Sequence, residues 1–371
     1  MFIPSVKSKL SLILLMVIAL ACFIWIENSR IFEKQDFYQK KLEAAKLMKK
    51  AEEAIRNYRM QQDIYIDKVN DPNETALIGE KNTLITTDRG DLRAKLTALN
   101  PNMAAVMIDL LNKADVSEGD EIAVSCTGSF PGINIALFSA AKVMNLDLII
   151  ISSVGASMFG CTDPEFTWLD YETFFNNKGI FDYKSKAASI GGGKDLGQGL
   201  SAIGRDLIKK AIGRNNVQFV FEQSLEANID KKMTIFRKNS QNPDLYVNIG
   251  GGLSSLGNSI NGRLVSSGYH KYIRLKNIPT KGTMFLFADD GVPVIHLLEI
   301  KDVAAKYDLP IAPSPLPEVG EGKVFTAEKY NVNYAVIALI ILIGLVIVIL
   351  LFDKKQLELR HDEVTGKELK T

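Results

Sequence analysis

The sequence predicts an α/β protein with a mainly parallel sheet flanked by helices, an N-terminal helical segment and two transmembrane helices. Three observations support this fold class. Short apolar strands alternate with helical segments from Asp120 onward, as parallel strands require, because each needs a crossover connection. Apolar residues recur at threes and fours in residues 36–62, which is the spacing of an amphipathic helix. Residues 10–26 and 332–352 contain no charged side chain, as expected of segments inside a bilayer.

The two uncharged segments are long enough to cross a membrane. As helices they extend roughly 25 Å and 31 Å, against a hydrocarbon core of about 30 Å. We interpret residues 332–352 as a transmembrane helix because both faces are apolar, with a buried core helix as the alternative. We interpret residues 10–26 as an uncleaved anchor, with a cleaved signal peptide or a lipid anchor at Cys22 as alternatives. The residues after Cys22, FIWI, are apolar where a lipoprotein turns polar.

Two crossings place both tails of the chain on one side of the membrane. Counted over fifteen residues, the positive charges on the two sides are tied, so the nearest ones decide. Those nearest are Lys7, Lys9, Lys354 and Lys355 on the tail side, against Arg30 and Lys329 on the other. We therefore predict tails in the cytoplasm and residues 27–331 outside it.

The region between the spans divides into a helical part and an α/β part. Residues 36–62 form either a stalk or partner helix, or a helix packed on its own domain. Residues 92–99 and 103–111 are predicted helices, the second opened by Asn100 and Pro101. The predicted domains are a first transmembrane helix (10–26), a helical stalk or subdomain (27–118), an extracytoplasmic α/β domain (119–308), a proline-rich linker (309–331), a second transmembrane helix (332–352) and a cytoplasmic tail (353–371).

The α/β part contains five clear apolar strands and two clear helices. The predicted strands are residues 122–125, 148–152, 217–221, 245–249 and 284–287, with 293–300 as a further candidate, and the helices are 133–144 and 199–212. Residues 309–322 contain four prolines, which predicts an extended, semi-rigid spacer.

Loops rich in glycine and serine follow the predicted strands. They read SCTGSFPG, SSVGAS, SIGGGKDLGQGL and NIGGGLSSLGNSI, and loops after parallel strands gather along one edge of the sheet. Their glycines permit close backbone approach, and free N–H groups at a helix start favour an anion; close packing of a helix on the sheet is the alternative. The predicted ligand-binding residues are Thr127, Gly128, Ser129, Ser153, Gly191, Gly192, Gly193, Gly250, Gly251 and Gly252. Neither glycine triplet fits a phosphate loop or a dinucleotide fingerprint.

Catalytic chemistry is only weakly indicated. A G-x-S-x-G elbow is absent. The weak candidates are Ser129, or Ser125, with His296 as base and Asp289 or Asp290 as its orienting acid. His296 lies in an apolar run, where a structural role is favoured.

Neither metals nor disulfides have a clear signature. The acidic stretch TDPEFTWLDYE contains Asp163, Glu165, Asp170 and Glu172, but their spacing favours a helix capped by Thr162 or Asp163 over a cation site. We predict no metal and no cofactor. Cys126 and Cys161 either pair or stand as separate small residues, and two cysteines make no disulfide framework.

The charge balance bears on the partners. Forty-four lysines and arginines face 43 acids in 371 residues, so no basic stripe marks a nucleic-acid partner. We predict no nucleic-acid binding; the lipid bilayer is the partner that the apolar segments imply.

Three stretches carry a family resemblance. TGSFPGINIALFSAAKVMNL, ISSVGASMFGCTDPEFTWLDYE and GVPVIHLLEI resemble the poly-gamma-glutamate system protein family, over residues 120–310. These bacterial membrane proteins are associated with the components that make and export poly-gamma-glutamate. The resemblance implies the bacterial cytoplasmic membrane, a role in production or export of this polyanion, and the synthesis and export proteins or the anionic polymer as partners. It supplies no catalytic residues.

Three functional hypotheses remain open at this point. The leading one is a non-catalytic, membrane-anchored accessory protein whose glycine loops bind polymer carboxylates or a partner. The alternative is an extracytoplasmic serine-type hydrolase or transferase acting on gamma-glutamyl bonds. The third is a sensor that relays polymer status to the short cytoplasmic tail.

Overall fold

The computed structural model describes residues 8–238, 242–275 and 277–365, with side chains to residue 359. Lys7, Lys367 and the end of the predicted tail lie outside the described residues. The chain divides into a terminal unit, residues 1–34 with 326–371, and a central unit, residues 35–325.

The helices and strands alternate through most of the chain. The helices are α1 (Lys9–Glu27), α2 (Tyr38–Gln61), α3 (Leu92–Ala98), α4 (Met103–Lys113), α5 (Pro131–Met144), α6 (Trp168–Asn177), α7 (Ala202–Arg214), α8 (Leu225–Phe236), α9 (Leu253–Leu256), α10 (Ser259–Arg263), α11 (Thr283–Asp289), α12 (Ile300–Lys306) and α13 (Val332–Thr365). The strands are β1 (Ile31–Lys34), β2 (Thr86–Asp88), β3 (Glu121–Thr127), β4 (Asp147–Ser153), β5 (Ala156–Ser157), β6 (Ala187–Ser189), β7 (Gln218–Phe219), β8 (Leu245–Ile249), β9 (Gly268–His270), β10 (Val294–Leu297) and β11 (Thr326–Lys329).

The terminal unit consists of two long helices joined by a small ladder. Helices α1 and α13 pack together, and β1 pairs with β11 in antiparallel register. Within these helices, Lys9–Glu27 and Val332–Leu359 are long and apolar enough to cross a membrane. Most of their apolar side chains are exposed, which is the distribution expected of helices that face lipid. The two predicted apolar helices are therefore present, and one lies near the N-terminus.

The central unit is built on a seven-stranded sheet with the order β7-β6-β4-β3-β8-β10-β9. Neighbouring strands are parallel, except that β9 runs antiparallel to β10. From β3 the chain builds outward through β4 and β6 to β7, and then returns to place β8 on the other side of β3. This arrangement confirms the predicted mixed α/β fold with a mostly parallel sheet and flanking helices.

Alternate residues of the strands enter cores on opposite faces of the sheet. Ile122 and Val124 of β3 pack in the larger core with α2, α4 and α5. Ala123 packs in the smaller core with α8 and α11. This alternation follows from the two-residue period of a strand, and burial on both faces explains why β3 reads as a continuous apolar run.

Helix α2 packs on the central unit itself, which is the second of the two alternatives for residues 36–62. Ala44, Met48, Ala51 and Ile55 are fully buried in the larger core. The proline-rich segment, predicted as an extended and semi-rigid spacer, is hydrogen-bonded to the rest of the central unit. Its backbone accepts a hydrogen bond at Glu318 from the side chain of Asn102, at 2.9 Å.

Two local predictions are wrong. Residues 284–287 form part of helix α11 rather than a strand; the run MFLF is too short for its periodicity to distinguish the two, and Met284 and Phe287 lie fully buried in the smaller core. Helix α6 begins at Trp168, not after Thr162 or Asp163. Thr167 is its N-cap and donates its backbone N–H to Asp170 at 2.7 Å, which closes a capping box.

Candidate ligand-binding site at the sheet edge

The point where the sheet reverses direction lies between β3 and β8. In open parallel sheets, the loops after two strands diverge at such a point and leave a crevice at their carboxyl ends. Here these loops begin with Thr127, the last residue of β3, and with Gly250, which follows β8. Both belong to the glycine- and serine-rich stretches noted in the sequence.

The structure brings five of the predicted ligand-binding residues together at this crevice. A Cβ atom at Gly250 would stand 2.4 Å from Oγ1 of Thr127. A Cβ atom at Gly252 would stand 3.3 Å from Cγ2 of Thr127 and 3.7 Å from Oγ of Ser153, and one at Gly191 would stand 3.2 Å from Cβ of Ser153. Glycine is required at Gly250 both by this proximity and by its φ of +88°.

Three polar groups at the crevice have no hydrogen-bond partner among the described residues. The hydroxyl of Thr127 is buried and hydrogen-bonds to nothing among the described residues. No acceptor in the described part of the chain takes the backbone N–H of Gly251 or Gly252. A buried hydroxyl without a partner is costly, so Thr127 is suited to a small acceptor such as a carboxylate oxygen. Gly251 is exposed and Gly252 is partly exposed, so their N–H groups are accessible to the same kind of ligand.

The other predicted ligand-binding residues have different surroundings. Gly128 is fixed in the backbone, since its N–H donates to Ser153 and its carbonyl accepts from Cys161. Ser129 Oγ accepts the backbone N–H of Ser157 at 3.0 Å. Gly192 lies against Thr87 and Gly193 against Gln198. Among the nearest neighbours of Gly128, Gly192 and Gly193, neither Gly250 nor Gly252 occurs.

An acid of the chain itself already engages the hydroxyl of Ser153. The buried carboxylate of Asp195 accepts hydrogen bonds from Ser153 at 3.2 Å and Ser189 at 2.8 Å. It also pairs with the ammonium group of Lys232 at 2.8 Å. Lys232 donates further to Ser189 at 2.8 Å and to Ser254 at 2.6 Å. This buried network links the loop after β6 to α8 and α9 beside the crevice.

A second buried lysine lies on the other flank of the loop after β3. Lys95 of α3 is 3% exposed. Its ammonium nitrogen donates to the backbone carbonyl of Ser129 and, at 2.9 Å, to the hydroxyl of Ser157. The nitrogen also stands 3.8 Å from the ring centroid of Phe130. Burial lowers the pKa of Lys95 to about 7.

The weak catalytic candidates are not joined to one another. His296 is buried, and its ring nitrogens face Asn248 at 3.0 Å and the carbonyl of Gly262 at 3.0 Å. Burial lowers the pKa of His296 to about 4. Asp289 pairs with Lys281 at 2.6 Å near the end of α11. Ser125 lies within β3, in register with Asn248.

The acidic stretch and the cysteines take separate positions. Asp163 pairs with Arg59 at 3.3 Å, and Asp170 pairs with Arg214 at 2.6 Å. Glu172 is buried and accepts two bonds from Ser185, and burial raises its pKa to about 7. Among the described residues, no group of acids, histidines and cysteines is arranged to hold a metal ion. Cys126 and Cys161 are buried and unbridged.

Sequence reasoning missed both buried lysines. A signal for each was present, because Lys95 follows Leu92 by three residues and Lys232 follows Ile229 by three, which places both on the apolar stripes of their helices. A lysine on such a stripe is rarely buried without a specific partner.

Comparisons with family models, curated proteins and solved structures find no match for this chain.

Proposed function

We propose that this chain is a membrane-anchored accessory component of poly-gamma-glutamate biosynthesis or export, and that its α/β domain binds polymer carboxylates at the crevice between β3 and β8. The observation that carries the binding site is the buried hydroxyl of Thr127, which has no hydrogen-bond partner among the described residues and lies beside the Gly250 and Gly252 positions of the loop after β8. The identity of the polymer rests on the resemblance of the TGSFPG and FTWLD stretches.

The donors at the crevice suit a ligand that carries many identical carboxylates. A hydroxyl and two N–H groups offer charge-assisted hydrogen bonds to one carboxylate, without a buried cation reserved for it. One such contact is weak, but a polymer repeats its carboxylate at every unit. Rebinding along the chain raises the apparent affinity without holding any one unit for long. This behaviour fits a protein that handles a polymer in transit.

The proposed setting is the bacterial cytoplasmic membrane, with both tails in the cytoplasm and the central unit outside. Two apolar helices of sufficient length support two crossings. Lys9, Lys354 and Lys355, which lie next to the ends of the uncharged segments 10–26 and 332–352, support this orientation. The partners in this proposal are the membrane proteins of polymer synthesis and export.

Binding by the full chain in lipid nanodiscs tests the crevice directly. The probe is poly-gamma-glutamate of defined length, titrated by calorimetry at fixed salt, with polyglutamine as the uncharged comparison. Gly252→Ala adds a methyl group between Thr127 and Ser153, and Thr127→Val removes the hydroxyl; we expect each to weaken binding about tenfold, the equivalent of roughly 1.4 kcal/mol. Gly213→Ala is the matched control, because a Cβ atom there meets nothing within 4 Å.

Two outcomes contradict the proposed binding site. Absence of saturable binding of the polymer by the unmodified chain removes the crevice as its site, and so does equal binding by Gly252→Ala and Gly213→Ala. The cellular role has a separate test, in which the gene is deleted from a producing cell. Unchanged amount and length of the surface polymer refutes that role.

A further inference from the structure

We propose that Ser157 and Lys95 form a serine–lysine dyad for acyl transfer, in which Ser157 is the nucleophile and Lys95 its general base. The substrate class is an amide or ester whose acyl part carries a carboxylate. This inference rests on the proposed function only for the substrate, which would be a gamma-glutamyl amide. The pair replaces Ser129 and His296, which no hydrogen bond joins, as the catalytic candidates.

The environment of the Lys95 amine supports its role as a base. Lys95 is almost fully buried, and its partners are the Ser157 hydroxyl, the Ser129 carbonyl and the Phe130 ring. All three are uncharged. Among the described residues, no carboxylate pairs with Lys95, and its neighbour Asp91 pairs with Lys301 instead. A cation in this position lacks both its hydration and a counter-ion.

This environment also determines which protonation state of the amine is favoured. Burial of an ammonium group without a counter-ion favours the neutral amine, which has a free lone pair. The pKa of Lys95, lowered by burial to about 7, agrees with this conclusion. A base that titrates near the working pH is the kind that activates a serine hydroxyl in serine–lysine enzymes.

The position of Ser157 also supports the dyad. Ser157 ends β5, which follows β4 after a short turn at the edge of the sheet where the crevice lies. Its backbone N–H donates to Ser129 Oγ at 3.0 Å, and Ser129 lies two residues after Thr127 in the same loop. Both members of the dyad therefore contact the loop that begins at Thr127, through the carbonyl and the hydroxyl of Ser129.

The reaction balances with groups that the chain supplies. Ser157 Oγ attacks the acyl carbon while its proton passes to the Lys95 nitrogen, which forms a tetrahedral intermediate. The bond from carbon to the leaving nitrogen then breaks, Lys95 returns the proton to that nitrogen, and an ester to Ser157 remains. Water attacks the ester with Lys95 again as base, and this releases the carboxylic acid and the free hydroxyl. Amide and water are the only reactants.

The molecule contains its own control for this inference. Lys232 and Ser254 repeat the contact between an ammonium nitrogen and a serine hydroxyl, at 2.6 Å. Lys232 also pairs with Asp195 at 2.8 Å, and this buried counter-ion favours the protonated amine, which cannot accept a proton. Ser254 is therefore expected to be unreactive although its distance to a lysine is shorter.

A fluorophosphonate probe on the full chain in nanodiscs tests the dyad. The probe forms a phosphorus–oxygen bond to an activated serine and releases fluoride, and peptide mass spectrometry identifies the labelled residue. We expect labelling at Ser157 with a pH midpoint near 7, at least tenfold slower labelling in Lys95→Met, and unchanged labelling in Ser254→Ala. A retained thermal midpoint shows that Lys95→Met is folded.

The possible results separate this inference from the proposed function. Absence of label on Ser157 between pH 6 and 10, or labelling that Lys95→Met does not slow, overturns the dyad. If Ser157→Ala retains polymer binding while losing the label, the two proposals stand independently. Labelled Ser157 in a chain that binds no polymer refutes the proposed function and keeps the dyad.

Discussion

The two buried lysines of the central unit differ in one respect that separates their chemistry. Lys232 and Lys95 are 2% and 3% exposed, and each donates to a serine hydroxyl. Lys232 has the carboxylate of Asp195 as its counter-ion, whereas the partners of Lys95 are neutral. Desolvation disfavours a charged amine in both places. Lys232 recovers part of this cost from a carboxylate in direct contact, whereas the acid that acts on Lys95, Asp91, is paired with Lys301.

This difference shows how two buried lysines at the same edge of a sheet can have different roles, one structural and one as a proton acceptor. A lysine paired in the interior stays charged and ties loops together, because separating the pair leaves an uncompensated buried charge. A lysine buried among neutral groups is held close to its neutral form and is available to accept a proton. Changes of charge, counter-ion or pH should therefore affect the two lysines differently.

The largest expected effect follows from removing the counter-ion of Lys232. Asp195→Asn keeps the shape and tolerates the φ of +61° at this position, but it leaves the ammonium group without an opposite charge. We expect the free energy of unfolding to fall by about 3–5 kcal/mol. Urea titration of the full chain in detergent, followed by tryptophan fluorescence, measures it, because unfolding exposes the buried Trp168.

An exposed pair supplies the control for this change. Asp206 pairs with Lys209 at 3.2 Å on the surface of α7, and Asp206→Asn is expected to change the unfolding free energy by less than about 0.5 kcal/mol. The double variant Asp195→Asn with Lys232→Met should be more stable than Asp195→Asn alone, since it removes the orphaned charge. Equal losses at Asp195 and Asp206 would contradict a buried, energetically coupled pair.

The second effect is a pH dependence that belongs to Lys95 alone. Its pKa is about 7 in the folded chain, against a usual value of 10.5, so the unfolded chain binds more protons between these values. Stability from this group therefore rises with pH across that window, by about 2–3 kcal/mol between pH 7 and 9.5. Lys95→Met should remove this rise. Urea titrations of both chains at several pH values measure the difference, and parallel curves would show that the amine is not held neutral.

Glu172 is the acidic counterpart of Lys95 and is expected to give a smaller effect of opposite slope. Burial raises its pKa from 4.5 to about 7, so the folded chain binds the extra proton between these values. Stability from this group falls as the pH rises through the window, by about 2 kcal/mol between pH 5 and 7. Glu172→Gln keeps an acceptor for Ser185 and should flatten this part of the profile in the same titrations. A variant whose profile matches that of the unmodified chain would contradict the raised pKa.

The strands and glycine loops of this region could be predicted from the sequence better than the side-chain contacts between them. Strands β3 and β8 were recognisable because a central parallel strand is apolar on both faces, and the loops after them were recognisable by their glycines. The convergence of Thr127 with Gly250 and Gly252 follows from the parallel order of the strands. Helix α11 was mistaken for a strand because four apolar residues fit either period.

The charged network had no such local pattern. Asp195, Lys232 and Ser254 come from a loop and two separate helices, and only the folded chain places them within hydrogen-bonding distance. Lys95 meets Ser157 in the same way, across two elements that are distant in sequence. A lysine within an apolar stripe indicates that each of the two lysines is buried. The stripe does not indicate whether the partner of that lysine is an acid or a neutral group. That distinction depends on tertiary packing.

The smallest expected effect separates the two lysines by their serine partners. Ser254→Ala removes an acceptor from a charged amine, so the lost hydrogen bond is charge-assisted, and we expect a loss of about 1.5–2 kcal/mol in the free energy of unfolding at pH 8. Ser157→Ala removes a partner of an amine that is mostly neutral at pH 8, and the loss should be only about 0.5–1 kcal/mol. Lowering the pH to 6 protonates Lys95 and should bring the cost of Ser157→Ala up to that of Ser254→Ala, while the cost of Ser254→Ala stays constant. Costs that remain equal at both pH values would mean that the two amines have the same charge, and the counter-ion of Lys232 would then not be what distinguishes them.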